Sequence, residues 1–131
     1  MALVEDKYRG TREYREVRDE MIRAAKQGRL IYYANIASIM GLPRSGHHMS
    51  REVGHISGEI SEDEHSQGRP MLSAVAVSVT RRIPGSGFFD LARSLGKLQD
   101  STEQAERRFW GGEKAAVYTT WQQDHDAKNS K

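Results

Sequence analysis

The sequence predicts an α+β fold, mostly helical, with a helix-turn-helix near its centre, a small β-sheet and extra N- and C-terminal helices. Three observations predict it. Arg29 to Arg51, RLIYYANIASIMGLPRSGHHMSR, sets a short apolar helix before a Gly-Leu-Pro turn and a polar, cationic second helix. Met71 to Val79 is a valine-rich run whose alternate residues would face opposite sides of a strand. The flanks, 11–27 and 88–125, carry apolar residues at three- and four-residue steps, the spacing of one helix face.

The 131 residues fit a single domain spanning 1–131, long enough to bury a core without covalent staples. A net charge of only +2 means that any basic surface must come from local arrangement. There is no cysteine, which removes disulfides, thiolate metal sites and thiol nucleophiles together and fits a cytoplasmic protein. The N-terminus, MALVEDKYRG, has two acids and no apolar run, so no signal peptide is expected. The longest apolar run, Met71 to Val79, is far short of the roughly 20 residues a membrane helix needs.

In chain order, Tyr14, Val17, Met21 and Ala25 give the first helix its apolar stripe, and Gly28 stops it. Arg12–Glu16 and Asp19–Arg23 are i,i+4 pairs; with seven basic and six acidic residues in 1–28, the charges nearly cancel and read as a solvated face. Leu30 to Tyr33 is β-prone and reads as a brief strand or the entry to the next helix. The helix-turn-helix spans 33–60. Ile36, Ile39 and Met40 supply the apolar side of its first helix, Gly41 and Pro43 end it, and Ser45 is a candidate N-cap for the second. From Gly46 to Ile60, Met49, Val53, Ile56 and Ile60 share one face while His47, His48, Arg51, Glu52 and His55 share the other. Ser61 to Pro70 reads as a loop.

Residues 71–87 read as a strand and a wing. Arg81-Arg82 at the strand's exit and the turn Pro84-Gly85-Ser86-Gly87 extend the architecture to a winged-helix-like one, in which a basic loop would contact the duplex backbone. Gly87 to Leu95 opens the C-terminal helices; Ser101 to Trp110 follows, Gly111-Gly112 is expected to break or kink it, and Glu113 to His125 resumes. The closing DAKNSK is polar and expected to fray.

The cationic helix face points to double-stranded DNA as the partner, since a recognition helix needs one side for the core and one for base edges and phosphates. The candidate nucleic-acid-binding residues are Tyr33, Arg44, Ser45, His47, His48, Arg51, Arg81 and Arg82. No catalytic residues, metal or cofactor are expected. Two alternatives stay open. A homodimeric or accessory interaction module would use apolar surface around Trp110, Tyr118 and Trp121. A metal-dependent hydrolase would draw ligands from His47, His48, Glu52, His55, Glu59 and His65, although no HExxH or other paired-ligand spacing is present.

GRLIYYANIASIMGLPRSGHHMSREVG resembles the DNA-binding segment of the O6-alkylguanine-DNA alkyltransferases and alkyltransferase-like proteins. Tyr33 matches the family's helix-opening Tyr, Ile36-Ala37 its Ile-Ala, Gly41 and Pro43 its turn, and Val53-Gly54 its Val-Gly. The resemblance implies a winged-helix-like DNA-binding scaffold, with Arg51 nearest to the recognition-helix Arg that takes the place of an extruded base. The family's reactive Cys and its Pro-Cys-His-Arg segment have no counterpart, so alkyl transfer is not implied, and Arg69-Pro70-Met71-Leu72 leads straight into the strand. The later block, GRPMLSAVAVSVTRRIPGSGFFDLARSLG, resembles a set of uncharacterised bacterial proteins; it implies a bacterial or phage origin, as of a regulator or DNA-damage factor, but no activity.

Overall fold

Thr11 opens the first helix, α1 (Arg12–Lys26): its hydroxyl oxygen accepts the Tyr14 backbone N–H, which has no partner inside the helix. The computed structural model describes residues 2–129, with side chains to Gln123. On α1, Val17, Met21, Ala24 and Ala25 are buried and Tyr14 is half-buried, the stripe that the spacing predicts. Arg12 reaches Glu16, whereas Arg23 turns to Glu20 and not to Asp19.

After α1 come β1 (Ile31–Tyr32) and, without a break, α2 (Tyr33–Ile39). Gly41, at φ 72°, turns the chain out of α2, and Leu42 donates back to the Ala37 carbonyl at 2.9 Å. α3 (His47–Ser66) follows, with Gly46 and not Ser45 at its N-cap and no side chain capping it.

α3 is longer than the sequence predicts. Residues 61–66, expected as loop, complete its last turns, and the helix stops at Gln67 and the left-handed Gly68. The carboxylates that suggest a solvated loop have partners elsewhere in the chain. Glu64 is buried, with Arg69 at 2.6 Å and Arg18 at 3.3 Å. Both guanidiniums also lie over the Trp121 ring, so the helix end is covered by a cation–aromatic stack.

Met71 to Val79 is corrected as well. It forms a 3-10 turn (Leu72–Val75) and only a two-residue strand, β2 (Ala76–Val77). β2 lies parallel to β1, Ile31 opposite Ala76 and Tyr32 opposite Val77. Leu72 to Val77 are buried, and β1 pairs only with Ala76 and Val77 among them. Their backbone is satisfied by side chains instead: Glu113 accepts the Met71 N–H, the Ser61 hydroxyl accepts the Ser73 N–H, and the Trp110 indole donates to the Ala74 carbonyl.

The expected wing is a tight loop. Ser78 N–H donates to the Ile83 carbonyl and Arg82 N–H to the Ser78 carbonyl, with Arg82 itself left-handed at φ 58°. Among the described residues the sheet contains only the parallel β1–β2 pair, so this loop does not carry the paired strands of a wing hairpin.

α4 (Ser86–Ser94) buries Phe88, Phe89, Leu91 and Ala92. α5 (Glu103–Asn129) runs straight through Gly111-Gly112, where a break was expected. Both glycines are exposed and need no special backbone angle. Trp110 and Glu113 on either side are held by Ala74, Met71 and Lys97, which offsets the weak helix propensity of the glycine pair. The polar tail expected to fray is helical to Asn129; residues 130–131 lie outside the described residues. α1, α5 and the 3-10 turn pack together on one side of the core, while α2, α3 and α4 close the other.

The N-terminal segment, 3–9, is strapped along α3 by carboxylates. Glu62 accepts the Leu3 and Val4 N–H groups, and Glu59 those of Lys7, Tyr8 and Arg9. Arg9 reaches Asp63 and Glu62. Glu52 takes the Lys7 ammonium at 2.6 Å and the Tyr8 hydroxyl; these two contacts hold its carboxyl down to about 2, against an ordinary 4.5. A depressed carboxyl stabilises the fold above its unfolded value and loses that contribution as pH falls. Thermal midpoints measured from pH 4.5 down to about 2 should therefore drop more for the native protein than for Glu52→Gln.

Candidate nucleic-acid interface and cleft

The start of α4 is tied to the start of α2. Tyr33, whose own phenol is raised by burial, accepts the Gly85 backbone N–H on its hydroxyl at 2.7 Å. That bond holds the 84–87 turn against the start of α2, and a cleft of about 540 Å³ lies between the first three turns of α3 and the start of α4. Its walls are Met49, Phe88, Leu91 and Val79; its floor includes Ser57 and Ser73; its mouth carries Arg44, Ser45 and Arg51.

The cleft lining contains two arginines and no carboxylate. Residues 30–51 contain no acid, and neither do residues 65–89. Arg9, Arg12, Arg18, Arg23, Arg29, Arg69, Arg93 and Arg107 each pair with a carboxylate. Arg44 touches only the Ser38 hydroxyl, at 2.6 Å. Arg51 and Arg82 are exposed, and none of the ion pairs among the described residues involves them. A guanidinium without a carboxylate keeps its donors for an incoming anion.

Comparison with protein-family models, curated proteins and solved structures found no match to this chain.

The structure brings Tyr33, Arg44, Ser45 and Arg51 together around the cleft. His47 and His48 are exposed on the first turn of α3, beside the mouth. Tyr33 and Arg81 have further contacts. Tyr33 accepts the Gly85 N–H on its hydroxyl oxygen, so it positions the turn as well as lining the cleft. Arg81 lines a second cavity of about 80 Å³ together with Glu103 and Glu106, which shares Ser86 with the main cleft.

The helix face read as His47, His48, Arg51, Glu52 and His55 is divided by the N-terminal segment. Glu52 and His55 lie under it, His55 donating to the Glu5 carbonyl at 2.7 Å, and only His47, His48 and Arg51 stay outside. The same segment draws on Glu59 and Glu62. Among the described residues no three of His, Asp and Glu stand together as metal ligands, and no helix is long and apolar enough to cross a membrane. Trp110, Tyr118 and Trp121, the surface expected for a partner, pack against this chain's own core.

The sequence reading missed the cleft's interior. Ser50, Gly54, Ser57 and Gly58 recur on α3 at i, i+4, i+7 and i+8, a run of small side chains that makes room where α4 approaches. That spacing was legible in the sequence; what faces it was not.

Proposed function

We propose that this is a non-enzymatic DNA-binding protein that docks the N-terminal end of α3 on duplex DNA, a helix-turn-helix with a basic loop in the place of a wing. The observation that carries the reading is that Arg44 and Arg51 line a cleft whose lining contains no carboxylate, with His47 and His48 exposed on the same helical turn, in a chain whose other arginines are mostly paired. Arg44, Arg51 and the two histidines sit on the turn and first helical turns, where side chains reach base edges and phosphates. Arg82, on the 78–83 loop, adds a sequence-independent phosphate contact.

The alternative is a dimeric or accessory role without DNA, using the half-buried C-terminal aromatics Trp110, Tyr118 and Trp121. The test is fluorescence anisotropy with a generic duplex at two salt concentrations. Affinity should fall steeply with salt, by roughly 0.9 in log–log slope per phosphate neutralised. Arg82→Ala should weaken binding to all sequences alike and flatten that slope by about 1. No binding at low salt would remove the DNA reading.

A further inference from the structure

Two helix N-termini meet at the cleft, and neither is capped by a side chain: Gly46 leads α3 and Gly85 leads α4. The first amides of both helices, at His47 and Ser86, have no intrahelical acceptor. The N-terminal ends of both helices border one space, which favours a compact anion there, and Arg44 and Arg51 line the same space. Behind that polar mouth the walls are apolar and aromatic, from Met49, Phe88 and Leu91. On the floor, Ser57 is only 7% exposed, and its hydroxyl has no hydrogen-bond partner. A buried hydroxyl without a partner is a cost in the empty protein that a ligand donor or acceptor relieves.

We propose that the cleft is a small-molecule site for a phosphomonoester on a flat, apolar body, such as an aryl or nucleoside monophosphate. The phosphate lies at the mouth between the two helix N-termini and the Arg44 and Arg51 guanidiniums. The ring enters between Met49 and Phe88, and a polar ring atom meets the Ser57 hydroxyl. The volume lies within the roughly 300–1,000 Å³ of ordinary ligand pockets. Because Arg44 and Arg51 belong to both surfaces, this ligand and duplex DNA compete for them, which makes the site an effector site.

The test follows backbone amides by NMR in the absence of DNA, during titration with phenyl phosphate, adenosine monophosphate, inorganic phosphate and phenol. The two esters should move the amides of Gly46, Gly54, Ser86 and Gly87 and bind about tenfold or more tighter than phosphate or phenol alone, the loss expected when either the ring or the anion contacts are missing. Arg51→Ala should weaken the esters about tenfold. Gly54→Leu should abolish binding: a Cβ there meets no atom within 4 Å, so the new side chain extends into the cleft without displacing the core. Gly87→Leu supplies the same block from α4 should Gly54→Leu lower the unfolding midpoint. Esters that bind no tighter than inorganic phosphate, amides that do not move at millimolar ester, or blocked variants that bind like the native protein would each overturn the proposal. These titrations contain no duplex, so their failure leaves DNA binding untouched, and a protein that ignores DNA can still pass them.

Discussion

Replacing Glu59 with alanine is expected to destabilise the protein by about 3–5 kcal/mol, the range seen when one partner of a buried charged network is removed. Glu59 is fully buried and its carboxylate accepts three consecutive backbone N–H groups, from Lys7, Tyr8 and Arg9. Arg9 stands 3.9 Å away and His55 3.6 Å away. Alanine deletes the acceptor and leaves the three donors without a partner, with the N-terminal segment loosened from Glu52 and Glu62 as a consequence. Urea unfolding of the variant checks this: the midpoint should fall, and amide exchange at residues 7–9 should become fast. A loss under about 1 kcal/mol would mean that water replaces the carboxylate at no cost and that the segment is not held by Glu59.

The second large effect concerns DNA. Arg51→Ala is expected to weaken duplex binding by roughly 1–3 kcal/mol, the value of a good bidentate base contact, and His48→Ala by less. Arg51 leads because its guanidinium is charged at every working pH and has no carboxylate to release. Arg15→Ala serves as the control: Arg15 is exposed on α1, reaches only the Gly10 carbonyl, and should leave affinity within error. Equal losses for Arg15→Ala and Arg51→Ala would reduce the interaction to bulk charge.

The succession of α2, turn and α3 is legible in the chain because its signals are local. Gly41 takes the left-handed turn, Pro43 bars continuation, and the apolar stripe from Met49 to Ile60 faces the core as its spacing predicts. The misread elements depend on partners far along the chain. Residues 61–66 look like an acidic loop until Arg9, Arg18 and Arg69 are placed beside Glu62, Asp63 and Glu64. Met71 to Val79 looks like a strand because its composition is that of a strand; Ser61, Trp110 and Glu113 then occupy the hydrogen bonds that a sheet neighbour would use. Gly111-Gly112 reads as a break, although the contacts on either side of it carry the helix through.

The site divides in the same way. Arg44, His47, His48 and Arg51 are neighbours in sequence and can be picked as one face, whereas the cleft is assembled from α2, α3 and the 78–87 segment, which no single window contains. Glu52 and His55 share the periodicity of the cationic face but are covered by residues about 45 to 50 positions earlier. Periodicity identifies a face; it does not tell which part of that face stays open.

The most direct measurement is a titration of isotopically labelled protein with a short duplex, followed by backbone amide shifts. The perturbed amides should cluster at residues 44–51, with a second group at 79–87, while α1 and α5 stay still. Perturbations centred on α1 or α5, or none at low salt, would contradict docking through the N-terminal end of α3.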